Sequence, residues 1–181
     1  YGMLSLIDQK IGEVLKCPDT LGQLDNTWVI YSCDHGEMLG SHGLWAKMNF
    51  YHPSVQVPLI VVPPGGAAGG VSDRLTELTD VTATIADIAG APAPEGCRGR
   101  SLLPVVRGEA VQPHEFLYSR IQSYAAIRDE RHRFTLEMES GTPCELFDLA
   151  NDPDEERNLV QDPDYAGQVA EYRQQVVEMQ A

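Results

Sequence analysis

Two short apolar runs, Thr27-Trp28-Val29-Ile30-Tyr31-Ser32-Cys33 and Val57 to Val62, show no alternation of apolar and polar residues. A strand with one solvated face alternates, so this pattern predicts strands buried on both faces, as in a sheet covered by helices. Between them lies a polar, glycine-bearing stretch from Asp34 to about Tyr51, too polar and irregular to continue either strand. In open α/β sheets ligands gather beyond the carboxyl ends of strands, which makes this loop the place to look for chemistry.

The flanking segments read as helices and a meander. Leu4, Ile7, Ile11 and Val14/Leu15 recur at three to four residues, predicting an amphipathic helix ended by Pro18 and the polar run to Asn26. Pro63-Pro64-Gly65-Gly66 closes the second apolar run, and the Gly/Ala stretch to Gly70 reads as a surface loop. Asp80 to Ala89 predicts a short helix with Thr79 or Asp80 as N-cap and Gly90 at its stop. Pro92, Pro94, Gly96, Gly99 and Pro104 mark a long irregular crossing. Beyond it, 115–119, 124–129, 132–137 and 145–149 are short alternating runs, the signature of a small antiparallel sheet. Tyr165, Val169, Tyr172, Val176 and Met179 then predict a closing helix. The expected architecture is an α/β part over residues 1–110 and a small α+β subdomain over 111–181, with antiparallel strands and the closing helix.

Composition narrows the partners. The 181 residues carry a net charge of −14, which argues against a sequence-independent grip on nucleic acid or on an anionic membrane. An anionic substrate is repelled at long range, so a site for one must rely on local cations and a metal. No apolar run approaches the roughly 18 residues that span a bilayer. Cys17, Cys33, Cys97 and Cys144 are too scattered for a disulfide framework or a zinc ribbon and read as buried free thiols. The N-terminus, Tyr1-Gly2-Met3-Leu4, lacks an initiator methionine and reads as an internal start that says nothing of where the protein resides.

Within the loop, Asp34 and His35 offer a carboxylate oxygen and an imidazole nitrogen, a common ligand pair for a divalent cation. Gly36, Gly40 and Gly43 let the backbone turn and approach a ligand closely. His42 and Lys47 are further groups able to face an anion, Lys47 as a compact point charge. Each has a plainer reading. Asp-His at a strand end is also a turn residue beside a surface histidine. Glu37 reads as a solvated carboxylate or one supporting the ligands from behind, His42 as a turn cap, and Lys47 as a surface lysine.

The stretch Asp25-Asn26-Thr27-x-Val29-Ile30-x-Ser32-x-Asp34-His35-Gly36-Glu37, followed by Gly40-x-His42-Gly43-Leu44-Trp45-x-Lys47, resembles the C-terminal signature of the sulfatases, members of the alkaline-phosphatase superfamily. The resemblance runs on through Val57-Pro58-Leu59-Ile60-Val61, Asp80-x-x-x-Thr84-x-x-Asp87-x-Ala89-Gly90 and Gly99-x-Ser101-Leu102-x-Pro104. It ends in Glu145-Leu146-Phe147-Asp148-Leu149-x-Asn151-Asp152-Pro153, so it covers nearly the whole chain in order. It implies the C-terminal part of an alkaline-phosphatase-like α/β sandwich. Asp34 and His35 are then metal ligands, with Ca2+ expected first and Mg2+, Mn2+ or Zn2+ as alternatives. Lys47 is then the lysine that binds the transferred sulfuryl or phosphoryl group, and His42 falls in the family's GxHG stretch as a further catalytic residue. Cys33, Ala83 and Phe147 depart from the commoner residues at their positions.

The family's C/S-x-P-x-R motif, whose Cys or Ser matures to formylglycine, has no match here. Cys17 precedes Pro18 directly with no Arg after it, and Cys97 is followed by Arg98 and Arg100 without the Pro. The resemblance therefore implies a sulfatase-type hydrolase of sulfate esters whose nucleophile lies in a missing N-terminal half, leaving this chain inactive alone. A phosphonate monoester or phosphodiester hydrolase of the same superfamily shares the signature. A non-catalytic split piece that binds a partner is the reading from another class. Without that half, the two buried strands would expose apolar edges, and the expected partner is the missing half or a second copy in a homo-oligomer.

Overall fold

The computed structural model describes residues 1–66 and 69–180. By contacts the chain forms two compact units, residues 1–33 with 58–72, and residues 34–57 with 73 onward.

The first unit holds helix α1 (Gly2–Thr20), a 3-10 turn at Leu24–Asn26, and strands β1 (Val29–Ser32) and β2 (Leu59–Val62). The two strands pair antiparallel, Val29 opposite Val62 and Ser32 opposite Leu59. Ser32 Oγ also donates to the Pro58 carbonyl at 2.9 Å. Two expectations are corrected. The helix continues past Pro18, which costs only one amide near the helix end, while Leu21 N–H still reaches the Cys17 carbonyl at 3.2 Å. The strands are not buried on both faces: Tyr31 is 36% exposed and Ile60 55%, because each has only the other as a sheet neighbour among the described residues. Helix α1 buries no residue, and Leu4, Ile7 and Val14 of its apolar stripe are exposed. The expected Gly/Ala surface loop includes residues 67 and 68, which lie outside the described residues.

The second unit is built on a four-stranded antiparallel meander of β3 (Leu117–Ile121), β4 (Tyr124–Arg128), β5 (His132–Glu137) and β6 (Thr142–Asp148). The expected runs are all strands. The last begins at Thr142, earlier than the alternation indicated, because β6 is an edge strand, where Pro143 is tolerated. Strand alternation gives this sheet two different faces. Ala125, Ile127, Phe134, Leu136 and Leu146 point to one face and form a buried cluster, onto which α5 (Ala166–Glu178) lays Tyr172 and Val176. Arg133, Thr135, Glu145 and Phe147 belong to the other face, where the segment 34–57 packs through Tyr51.

Helices α2 (His52–Val55), α3 (Leu78–Ile88) and α4 (Leu103–Val106) complete the unit. The N-cap of α3 is Glu77, not Thr79 or Asp80. Asp80 sits at the third helical position and its side chain reaches back to the Glu77 N–H at 3.0 Å, closing a capping box. Asp80 is 1% exposed and also accepts the Arg100 N–H at 2.7 Å and His114 Nε2 at 2.9 Å. Thr84 Oγ1 accepts the Leu102 N–H at 2.8 Å, and Ser101 Oγ donates to Asp87 at 2.5 Å. The Asp80, Thr84, Asp87 and Ser101 pattern is therefore a clasp binding α3 to the crossing before α4, its side chains engaged in structure. None of the four cysteines forms a disulfide, as expected, but they are not buried: Cys17 and Cys33 are exposed, and Cys97 and Cys144 are half-buried.

Candidate metal and anion site

The segment directly after β1 in sequence is held in place by α2. The Gly36 N–H donates to the Ser54 carbonyl at 2.8 Å and the Glu37 N–H to the Pro53 carbonyl at 2.9 Å. Backbone runs so close to backbone here that a Cβ on Gly36 would strike the Pro53 carbonyl oxygen, so glycine is required by space rather than by dihedral angle. Further along, the Met38 N–H donates to the Ala46 carbonyl at 2.9 Å, and the Glu37 carboxylate accepts the Ala46 N–H at 2.5 Å. Glu37 therefore staples the loop shut from inside, a role sharper than that of a merely solvated carboxylate.

Asp34 and His35 come together. His35 Nδ1 lies 2.8 Å from the Gly36 carbonyl, an acceptor only, which assigns the ring proton to Nδ1. Nε2 stands 3.3 Å from Asp34 Oδ2, and Asp34 Oδ1 accepts the His35 N–H at 3.0 Å. Two ligands at about 2.1 Å from one cation and roughly at right angles to each other lie about 3 Å apart, so the pair has the spacing of one edge of a coordination shell. The hydrogen bond from Nδ1 to a backbone carbonyl is the usual means of orienting a ligating imidazole. Asp34 is largely exposed and His35 partly so, which leaves both accessible. No group of three or more His, Cys, Asp or Glu side chains converges among the described residues. The residues present fit a divalent cation as two donors of a larger set.

Lys47 is exposed, without an ion-pair partner among the described residues, and is flanked by two left-handed residues, Ala46 (φ 66°) and Met48 (φ 86°). That backbone holds a single side chain out on a sharp bend, a strained arrangement that an ordinary surface lysine does not need. His42 is also left-handed, at φ 53° and ψ 20°, and its ring lies flat on Tyr51 with centroids 4.0 Å apart and planes 17° apart. Tyr51 is the residue that sequence reasoning missed. Its hydroxyl bonds Glu145, and burial together with the Glu145 charge pushes its pKa upward. An aromatic at the loop's far end was a visible signal, but the pairing with His42 depends on the loop's path.

Residues 40–181 match the C-terminal family of N-sulphoglucosamine sulphohydrolase. The chain is 38% identical over 170 residues to a choline-sulfatase of Rhizobium meliloti (strain 1021), covering 90% of this chain and 33% of that protein. It is 33% identical to PehA, a multifunctional alkaline phosphatase superfamily protein of Trinickia caryophylli, covering 97% of this chain and 38% of the relative. The chain thus spans about a third of the length of these relatives. Among solved structures, the phosphonate monoester hydrolase of Agrobacterium radiobacter superposes with a TM-score of 0.88 at 29% identity, over 99% of this chain and 40% of that one. The chain belongs to the sulfatase family of the alkaline-phosphatase superfamily and is a C-terminal portion of that α/β fold.

Proposed function

We propose that this chain supplies part of the metal and anion clamp of an enzyme that hydrolyses sulfate esters. The observation that carries the reading is the convergence of Asp34 and His35 on the same stapled loop that holds out Lys47. Asp34 and His35 would hold a divalent cation, Ca2+ first, with Mg2+, Mn2+ or Zn2+ as alternatives. Such a cation supplies Lewis-acid neutralisation of charge on the ester oxygens. Lys47 neutralises a further oxygen of the transferred group, which matters in a chain whose net charge of −14 otherwise repels anions. His42, its ring stacked on Tyr51, would act from the same loop as a further donor to the transferred group. The nucleophile is assigned to no residue of this chain; the sulfatase resemblance implies that a formylglycine would come from an N-terminal part. The exposed apolar stripe of α1 is the surface that such a part would cover.

In the intact protein, Asp34→Asn should weaken divalent-cation binding, and Lys47→Ala should lower turnover of an aryl sulfate with the cation retained. Unchanged metal content and rate in both variants would refute the assignment. The 181-residue chain alone should release no phenol from an aryl sulfate, with Ca2+ or Mn2+ added. A second reading, phosphonate monoester or phosphodiester hydrolysis, is favoured by the superposition on the phosphonate monoester hydrolase. Rates on matched sulfate and phosphonate esters separate the two.

A further inference from the structure

Beneath the loop lies a buried ion pair that the proposed chemistry does not use. Arg133, 3% exposed, donates through Nε to Glu155 at 2.5 Å and through Nη1 to Glu145 at 2.7 Å. Glu155 is 2% exposed and adopts a left-handed backbone, φ 55°, that a glutamate takes only when its surroundings impose it. Arg133 Nη2 is buried without a hydrogen-bond partner among the described residues. A buried ion pair with an unpaired donor is a poor stabiliser compared with apolar packing, so its presence asks for another reason.

The contacts supply one. The second oxygen of Glu155 accepts the His52 N–H, the first amide of α2, at 2.6 Å. One and two residues on, α2 offers the Pro53 and Ser54 carbonyls that hold the amides of Glu37 and Gly36, next to Asp34 and His35. In parallel, the Arg133 guanidinium lies 5.1 Å from the Tyr51 ring centroid, and Tyr51 carries the His42 ring at 4.0 Å. Two routes of direct contact thus lead from one buried pair to opposite ends of the loop.

We propose that Arg133 and Glu155 are positioning residues for the candidate site. Glu155 fixes the start of α2, α2 fixes the backbone after Asp34-His35, and Arg133 fixes Tyr51 and hence His42. That this loop is an active site rests on the functional reading; that it is held by the pair does not. Neither residue touches the reacting groups.

Hydrogen exchange in the intact protein tests the proposal, comparing peptides over 34–47 and 124–137 in wild type, Glu155→Gln and His52→Pro. His52→Pro removes the amide that Glu155 accepts, together with the imidazole that contacts Gln56, and leaves the ion pair whole, so against a His52→Ala control that loses only the imidazole it decides alone if Glu155→Gln does not fold. Glu155→Gln and His52→Pro should exchange the Gly36 and Glu37 amides about tenfold faster or more, as local opening, with β4 and β5 unchanged. Unchanged exchange over 34–47 in the folded variants overturns the proposal. So does acceleration spread equally over β4 and β5, the mark of a pair that serves only general stability. A wild-type protein inactive on both sulfate and phosphonate esters would refute the functional reading and leave the exchange result standing.

Discussion

Tyr172→Phe isolates one hydroxyl that ties the closing helix to the sheet. The Tyr172 hydroxyl donates to Asp129 and lies 3.0 Å from His132 Nδ1, while its ring packs in the core cluster and is retained in the variant. A hydrogen bond to a charged acceptor contributes about 1.5–3 kcal/mol, and because Asp129 is partly exposed and can recover water, about 2 kcal/mol is expected at pH 7. The pH dependence makes this stricter. Burial, and then the bond to Asp129, raises the Tyr172 pKa, so the folded state keeps the proton that the unfolded state releases near pH 10. The stabilisation is therefore fully present below pH ~10 and falls by about 1.4 kcal/mol for each further pH unit. Phenylalanine has nothing to ionise. Urea titrations of both proteins should show a deficit of about 2 kcal/mol at pH 7 that closes about 1.5 units above the unfolded tyrosine pKa, near pH ~11.5. A deficit that stays constant from neutral pH into that alkaline range would refute the argument, because the hydroxyl would then not be held protonated by the fold.

Other outcomes follow from the same contacts. Gly36→Ala must push the loop off α2 and lose the two amide bonds to Ser54 and Pro53, about 2 kcal/mol in all, seen as local exchange over 34–47 with weaker cation binding. The Asp148 carboxyl is held well below the usual carboxylate range by its hydrogen bonds from Arg131, at 2.6 and 3.1 Å. Its stabilisation is present above that range and is lost as pH falls through the depressed value, so Arg131→Met should show a shallower acid limb in denaturation followed by circular dichroism. An identical limb in the two proteins would show that the pair does not couple to folding.

The clasp between α3 and the crossing before α4 shows why the chain-long resemblance had to be divided by role. Asp80, Thr84, Asp87 and Ser101 belong to the same recurring pattern as Asp34 and His35, yet their side chains are taken up by backbone amides and by each other. Asp34 and Lys47 instead stay exposed, Asp34 with Oδ1 accepting the His35 N–H at 3.0 Å and Oδ2 facing His35 Nε2 at 3.3 Å. Sequence alone cannot make that division, because a carboxylate that caps a helix and one that binds a cation are the same residue until their neighbours are known.

By itself, the sequence determined the elements whose cause is local. Periodicity placed α1 and α5, a capping residue and Gly90 indicated α3, alternation placed the four-stranded meander, and the polar glycine-bearing stretch marked, in sequence, the loop that carries the candidate residues. Apolar runs could not determine burial: β1 and β2 are partly exposed because burial depends on which surfaces arrive to cover them. Nor could spacing reveal what fixes the Asp34–Lys47 loop. Glu155 lies 103 residues from the His52 amide it accepts, and Arg133 meets Tyr51 only because β5 turns that side chain to the sheet face opposite α5. Ligand types are written along the chain, whereas their placement is a long-range property, decided by buried charges and backbone contacts that exist only once the sheet has formed.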